Sequence, residues 1–573
     1  MSKKNVELSS LPPKSDELTS PEGKQASIRP IVFCTLAFVL CILVSAAPLL
    51  RLAGTTLLLS LPTNPLLLLW GSWLPVDLHL ASTSRASMIT TNMIEFLLLM
   101  VLAFAAYGLC AYFIQRQPRQ SDYKQVFGLI WWGVIAAGLI FVLTPAMLSR
   151  DIFVYAGYGR TIAAHHANPY FVAQATFPRD PLTSYDDWKY ATAAYGPAWL
   201  TICALWALVS GGSPLAYVLA FRLFALAAHL VNTWLVAAIL RKMGCSARTI
   251  ALGTLLYAWN PLVLQESSLG GHNDIFMISL ILLGILLCLR AEQQNFARRD
   301  LLPIIAFTLA TLVKFTALPL IALFLVLLAR KSLYSTHSVP LTNELHASPR
   351  WRHTLLKLLL AVATSALIAF IFYAPFWLGH SFHEIVQSFS SPPSAHNSEN
   401  SLMRAIFEWI KLHGLPAHAS WISTPLHVLS QREVWDRINY VTLCCILIIG
   451  AVWIWRFPTT RTMALAALAT LGVLLIVTPW FFAWYVTWLI GLAAICLPAV
   501  KDRTGRALLA FALTFSGTAY LTYLFNGYPP IGGWSGLSWA LMMGPPLLVF
   551  SFLIILNKKA WLRSLDNGAT IAT

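Results

Sequence analysis

Asp151 stands where a long apolar run, Val126 to Leu148, gives way to a polar stretch that reaches Ala194, in the phrase SRDIFVYAGYGR. A carboxylate at the mouth of an apolar segment is costly to leave unused, and acids in such places mark pathways or reaction sites. The chemistry open to it is proton abstraction, as the general base of a membrane-embedded transferase working at the lipid–water boundary. Tyr155 and Tyr158 follow at i+4 and i+7, so a helix would place all three on one face. Arg150 and Arg160 flank them, as partners for a sugar or a phosphate. The plainer reading is an Asp–Arg pair beside interfacial tyrosines.

Three further clusters carry polar chemistry. WNPLVLQESSLGGHND, Trp259 to Asp274, sets Glu266, His272, Asn273 and Asp274 at a turn between two apolar runs. A turn needs only glycine and one polar residue, so the HND triplet exceeds the need, and a histidine there can donate to a phosphate. The alternative is a capped helix start, with Asn273 or Asp274 as N-cap. Lys314, in ATLVKFTALPL, sits in an apolar run where an ammonium costs on the order of 2.5–3.5 kcal/mol to insert. It would face an anionic headgroup or a diphosphate-like leaving group, unless it merely snorkels from a helix end. PWFFAWYVTW, Pro479 to Trp488, offers Trp484 and Tyr485 for stacking on a sugar face or a polyprenyl chain, or is an aromatic belt.

Other polar groups are less directed. Arg222 and His229 lie seven apart on one helix face, with their role open. His380 and His383 open a histidine-rich loop with His396, His413, His418 and His427, but no carboxylate follows at a metalloprotease spacing, and a solvated loop is the simpler account. No phosphate-loop or dinucleotide glycine motif occurs, and no cofactor is assigned. No metal ligand set is assigned either, and a divalent metal stays open.

These residues must be positioned by membrane helices. The chain has 573 residues, 58% hydrophobic and only 11% charged, with mean hydropathy +0.68. Soluble chains carry about 25% charge. Repeated apolar runs of about 17–25 residues are each long enough to cross a bilayer as a helix. The expected fold is therefore all-α and polytopic, and a β-barrel is excluded because its strands would alternate. One multi-pass domain over 30–556 is expected, between a polar, disordered cytoplasmic tail (1–29) and a second cytoplasmic tail (557–573), with no cleavable signal. The net charge of +16 falls largely in short loops, as the positive-inside bias requires, and does not point to nucleic acid. The nine cysteines avoid the long polar loops and form no CxxC, so no disulfide framework is expected.

Loop charge sets the topology. Basic loops at Arg116–Lys124, Arg241–Arg248, Arg290–Arg299, Arg330–Lys357, Arg456–Arg461, Lys501–Arg506 and Lys558–Arg563 lie inside. External loops of about 148–194 and 379–438 alternate with them, as do turns at Gly270–Asp274, Trp480–Trp484 and Asn526–Trp534. Leu52–Trp73 and Tyr195–Val209 read as re-entrant or interfacial pieces, and Leu301–Arg330 as two halves broken near Lys314 and Pro319. The count is about 14 crossings with both termini inside, or about 13 if one assignment differs. All four clusters then share the outer face.

The ordered set SRDIFVYAGYGR, HHANPY (His165–Tyr170), YGPAW (Tyr195–Trp199), NPLVLQESSLGGHND, the Lys314 hairpin and PWFFAWYVTW resembles the GT-C superfamily of integral-membrane glycosyltransferases. Within it the chain is similar, over about Ile31 to Leu556, to the bacterial polyprenol-phosphate-mannose-dependent alpha-1,6-mannosyltransferases. Arg150-Asp151 stands where some superfamily members carry an acidic doublet. The resemblance implies an outer-leaflet polyprenyl-phosphate donor and inversion without an obligatory metal. It implies Asp151 as general base, with Lys314, His272 and Arg160 neutralising phosphate. Tyr155, Tyr195, Arg150, Glu266, Asn273, Asp274, Trp484 and Tyr485 complete the expected substrate-binding set. The reaction expected is transfer of a hexose, mannose by resemblance, to an extracytoplasmic glycan or glycolipid at the cell membrane. The rival is a transporter or lipid-linked-sugar flippase, which would be expected to show an internal repeat; none is visible.

Overall fold

In the computed structural model, the described residues are 27–51, 85–118, 123–294, 300–334, 351–389, 397–414, 420–525 and 535–568. The N-terminal tail, the Leu52–Trp73 segment and the Asn526–Trp534 turn lie outside them. The described chain is helical, with no named strand and one isolated parallel bridge between Glu399 and Trp480. Eleven described helices are long and apolar enough to cross a membrane, from Arg29–Leu50 to Gly536–Ile555. Three shorter apolar helices, Pro197–Ser210, Leu302–Val313 and Ala483–Ile495, accompany them. Helices satisfy every backbone polar group internally, which hydrocarbon demands.

The interruptions place the polar residues. The helix Lys124–Leu143 stops short of the apolar run that encodes it, because Pro145 forces the preceding Thr144 into extended backbone (φ −72°, ψ 125°). Seven residues, Thr144–Arg150, then turn the chain before the helix Asp151–Ala163 begins. Leu302–Val313 ends at Lys314, which is extended (φ −153°, ψ 126°), and Leu318–Leu333 restarts with Pro319 in its first turn. Proline is tolerated there because the first-turn N–H groups have no helical partner. The break expected near Lys314 and Pro319 is thus present. Pro197–Ser210 has 14 residues, about 21 Å of helix, too short for a core of about 30 Å.

Arg222 fixes two of these turns. It is fully buried and donates to Val142 O (3.2 Å), Thr144 O (2.5 Å), Ala146 O (2.5 Å) and Leu269 O (2.9 Å). Val142 O lies in the last turn of the helix Lys124–Leu143, Thr144 O and Ala146 O belong to the turn before Asp151, and Leu269 O to the turn before His272. His229, one helix face along, serves a different neighbour: its Nε2 lies 3.0 Å from Ala258 O, and its ring stacks on Tyr257. The two intramembrane polar residues read as a pair are therefore separate packing elements.

Close backbone approach requires glycine at Gly196. A Cβ there would stand 2.0 Å from Leu312 O, and Gly196 N donates to Val313 O at 3.2 Å. This contact sets Tyr195 beside the Lys314 break.

Candidate functional site

The breaks converge on one pocket of about 350 Å³. Its wall draws on four stretches of chain: Leu148–Tyr158, Asp187–Tyr195, Lys314 and Trp480–Tyr485, with Thr522 and Tyr523 closing one side.

Asp151 is the first residue of its helix, where the unpaired N–H groups favour a negative charge. Its side chain is 14% exposed. Oδ2 accepts hydrogen bonds from the hydroxyls of Tyr155 and Tyr195, both at 3.4 Å. Tyr155 shares Asp151's helix face, as the i, i+4 spacing requires. Tyr158, one turn further, also lines the pocket, and its hydroxyl donates to Thr192 O at 3.4 Å. Tyr155 also donates to Asn273 Oδ1 at 3.4 Å, which ties the two polar clusters together.

Behind Asp151 lies a buried polar layer. His272 Nδ1 is 3.7 Å from Asp151 Oδ2, and Nε2 is 3.2 Å from Glu266 Oε2. The imidazole stacks on Trp484 at 4.2 Å between centroids. Glu266 accepts further hydrogen bonds from the Tyr523 hydroxyl and from Gln265 Nε2. His272 and Glu266 are thus placed behind Asp151 and not on the pocket wall. Asn273 makes no side-chain cap to the helix Asp274–Gln293, so the simple capping account of HND does not hold.

Lys314 reaches the pocket from the other side, 12% exposed. Its Nζ donates to Asp274 Oδ1 at 2.7 Å, and Trp488 Nε1 donates to the same oxygen at 2.6 Å. The rings of Tyr485 and Trp488 face the ammonium at 4.2 and 5.2 Å, close enough for cation–π attraction. The aromatic run Pro479–Trp488 therefore does more than mark a membrane boundary. Trp484 stacks on His272, Tyr485 covers Lys314, and both line the pocket.

Arg150 lines the pocket and pairs with Asp187 at 3.3 Å. Arg160 is not brought to the wall. Its Nε holds Asp180 at 2.6 Å and its Nη1 donates to Gly211 O at 2.6 Å. Asp180 also takes His165 Nε2 at 2.7 Å and Leu182 N at 2.9 Å, so Arg160 latches the polar loop and is not available for a phosphate. The loop pair Asp186–Asp187, standing openly in SYDDWKY, was not singled out from sequence. Asp187 meets Arg150 at the rim. Asp186 is buried, and burial, together with the charges of Asp187 and Asp151, pushes its carboxyl up to about 7 against the opposing hydrogen bond from Trp188 N. Tyr523 was also missed; nothing local in AYLTYLF marks it, and only the fold brings it to Glu266.

Among the described residues no three His, Cys, Asp or Glu side chains gather into a metal-holding group. His380 stacks on Phe171 at 3.8 Å and lies 3.9 Å from Glu384.

Asp151, the two tyrosines that donate to it and Lys314 all fall within residues 52–330. That stretch matches the family described as Alpha-(1->6)-mannopyranosyltransferase, N-terminal domain. Over it, the chain is similar to a mannosyltransferase family. Two curated relatives agree. Alpha-(1->6)-mannopyranosyltransferase A of Corynebacterium glutamicum is 26% identical over 164 residues, covering 28% of this chain and 33% of the relative. Alpha-(1->6)-mannopyranosyltransferase A of Mycobacterium tuberculosis is 28% identical over 177 residues, covering 31% and 32%. The chain thus spans about a third of the length of the curated relatives it matches. No solved structure matches it. The mannosyltransferase-like stretch includes Asp151, Tyr195, Glu266, His272, Asp274 and Lys314; the aromatic wall Trp480–Trp488 lies beyond it.

Proposed function

We propose that this protein is a GT-C-type mannosyltransferase that moves the sugar from a polyprenyl-phosphate donor to an extracytoplasmic glycan or glycolipid, with inversion. The observation that carries the reading is Asp151: a partly exposed carboxylate at a helix start, oriented by two tyrosine hydroxyls, in the same pocket as Lys314. Mannose is favoured by the names of the relatives.

In this reading the acceptor hydroxyl oxygen attacks the anomeric carbon and gives its proton to Asp151. The bond from that carbon to the phosphate oxygen breaks, and its electron pair leaves with the polyprenyl phosphate. General-base assistance of this kind is worth about 10²–10⁴-fold. Phosphate is a competent leaving group without protonation, so no second acid is required. Lys314 is the cation best placed to meet the charge gathering on phosphate, in a wall where apolar rings keep the local dielectric low. Tyr155 and Tyr195 hold the carboxylate toward the pocket, and His272 with Glu266 supports it from behind.

The helices that begin beside the pocket, at Asp274 and just after Lys314, carry Arg290, Arg330 and Lys331 in their far turns. By the positive-inside bias this supports a pocket facing away from the cytoplasm.

The test uses membranes containing the full chain, polyprenyl-phosphate mannose labelled in the sugar, and a short alpha-mannoside acceptor, with and without EDTA. Label should appear in a lengthened glycan, disappear in Asp151→Asn, and be indifferent to EDTA. Undiminished transfer by Asp151→Asn would remove the assigned base, and failure with every polyprenyl-phosphate sugar would remove the donor class.

A further inference from the structure

A second concavity lies on the half of the molecule away from the pocket. The helices Leu318–Leu333, Trp351–Trp377 and Arg432–Arg456 enclose an apolar groove of about 610 Å³. Val326, Ala329, Leu358, Val362 and Val452 line it, and Arg456 stands at its end. Two of the three walls face little protein: the Trp351–Trp377 and Arg432–Arg456 helices each bury only three residues.

The position follows from the helix directions. Leu318–Leu333 leaves the pocket just after Lys314 and carries Arg330 in its last turn, about 18 Å along the axis. Asp274–Gln293 starts at the pocket and ends with Glu292, which holds Lys331 at 3.1 Å. The groove mouth is therefore in the leaflet opposite the pocket.

The mouth is built for an anion. Arg330 is held in place by its Nε bond to Trp455 O at 3.1 Å, with its guanidinium 3.8 Å from the Tyr334 ring centroid. Arg456, exposed, meets no carboxylate among the described residues. Lys331 is neutralised by Glu292, so Arg456 on the groove and Arg330, bound to the neighbouring Trp455 O, carry the charge at this end. An open apolar groove that ends at Arg456, with Arg330 held to the carbonyl of the adjacent Trp455, matches a molecule with an apolar chain and a phosphate.

We propose that this groove binds one anionic phospholipid, with an acyl chain between the three helices and its phosphate at Arg456 and Arg330. The groove and its arginines stand without the transferase reading, and only the choice against a polyprenyl-phosphate sugar rests on it. A polyprenyl-phosphate sugar is the poorer occupant, because a phosphate at Arg456 would hold its sugar in the wrong leaflet to reach Asp151.

The test is native mass spectrometry of the full-length protein in detergent. It is titrated separately with phosphatidylglycerol, with phosphatidylethanolamine of the same acyl chains, and with undecaprenyl phosphate. One phosphatidylglycerol should be retained about tenfold better than phosphatidylethanolamine, as two interfacial arginines allow. Arg456→Gln should reduce that preference by about fivefold. Ala329→Trp should abolish retention by filling the groove, and Val452→Trp, from the facing helix, should do the same if Ala329→Trp fails to fold. Equal retention of the two phospholipids would overturn the proposal, as would an unchanged preference in Arg456→Gln. A stronger retention of undecaprenyl phosphate, or a dimer that either tryptophan variant dissolves, would likewise replace it.

Discussion

Lys314 Nζ and Asp274 Oδ1 lie 2.7 Å apart although forty positions separate them in the chain. One comes from a break between two half-helices and the other from the first turn of a span. Their pairing answers why a lysine is tolerated in an apolar run. Asp274 is fully buried and balances the ammonium, while Tyr485 and Trp488 cover it with ring faces. Removing one partner of a buried pair leaves a charge without compensation, at a cost of about 3–5 kcal/mol. Lys314→Met should therefore lower thermal stability in detergent by that order and abolish transfer. The double variant Lys314→Met/Asp274→Leu should recover most of the stability and none of the transfer. Recovered transfer in the double variant would remove Lys314 from the chemistry.

The tyrosines on Asp151 give a graded expectation. Tyr195→Phe and Tyr155→Phe each delete one 3.4 Å hydrogen bond to Oδ2 while keeping the ring contacts. Each neutral donor to a charged acceptor is worth about 1.5–3 kcal/mol, so each variant should slow transfer roughly ten- to hundredfold. Asp151→Asn should lose about 10²–10⁴-fold. Initial rates at saturating donor, with expression and thermal midpoint as controls, check the order. An equal loss in all three variants would mean that the tyrosines do more than orient the base.

Arg222 bears on the site without touching it. Its guanidinium satisfies carbonyls in the turns before Asp151 and before His272. Arg222→Met would leave several buried acceptors unpaired, each costing about 1–3 kcal/mol. The expected result is loss of folded protein, with Arg222→Lys partly restoring both yield and activity. Normal yield from Arg222→Met, by size-exclusion profile, would show that the turns hold without it.

Much of this site was readable in the chain before folding. Asp151 and Tyr155 share a helix face by spacing alone, and the cost of leaving an ammonium in hydrocarbon singles out Lys314, although the anion expected beside it was a headgroup or leaving group and the structure places Asp274 there. The HND triplet signalled more than a turn. What the sequence could not carry was which partner each group chooses. Arg160 looked as available as Lys314, but Asp180, twenty positions on, claims it in the loop. His272 looked like a phosphate donor, but the carboxylate of Glu266 and the face of Trp484, more than two hundred residues away, fix it behind Asp151. Tyr523 has no local signal at all. Long-range pairing of this kind depends on how helices cross, and helices apolar on every side leave no stripe from which their neighbours can be read.

Asp186 supplies the pH dependence. Its carboxyl is raised to about 7 from a usual value near 3.8, first by burial and then by Asp187 and Asp151. Between these values the folded chain holds a proton that the unfolded chain releases. Stability is therefore fully present below about pH 4 and falls as pH rises through 7, by on the order of a few kcal/mol. Asp180, whose carboxyl is lowered despite partial burial by its bonds to Leu182 N, His165 and Arg160, acts in the opposite sense, but only below its usual range. It does not interfere between pH 5 and 8. Wild-type protein should thus melt lower at pH 8 than at pH 5.5, and Asp186→Asn, neutral throughout, should remove most of that difference. Thermal midpoints of both proteins across that window decide it. A wild-type midpoint that rises toward pH 8, or an Asp186→Asn curve parallel to wild type, would mean that Asp186 is already ionised in the folded loop.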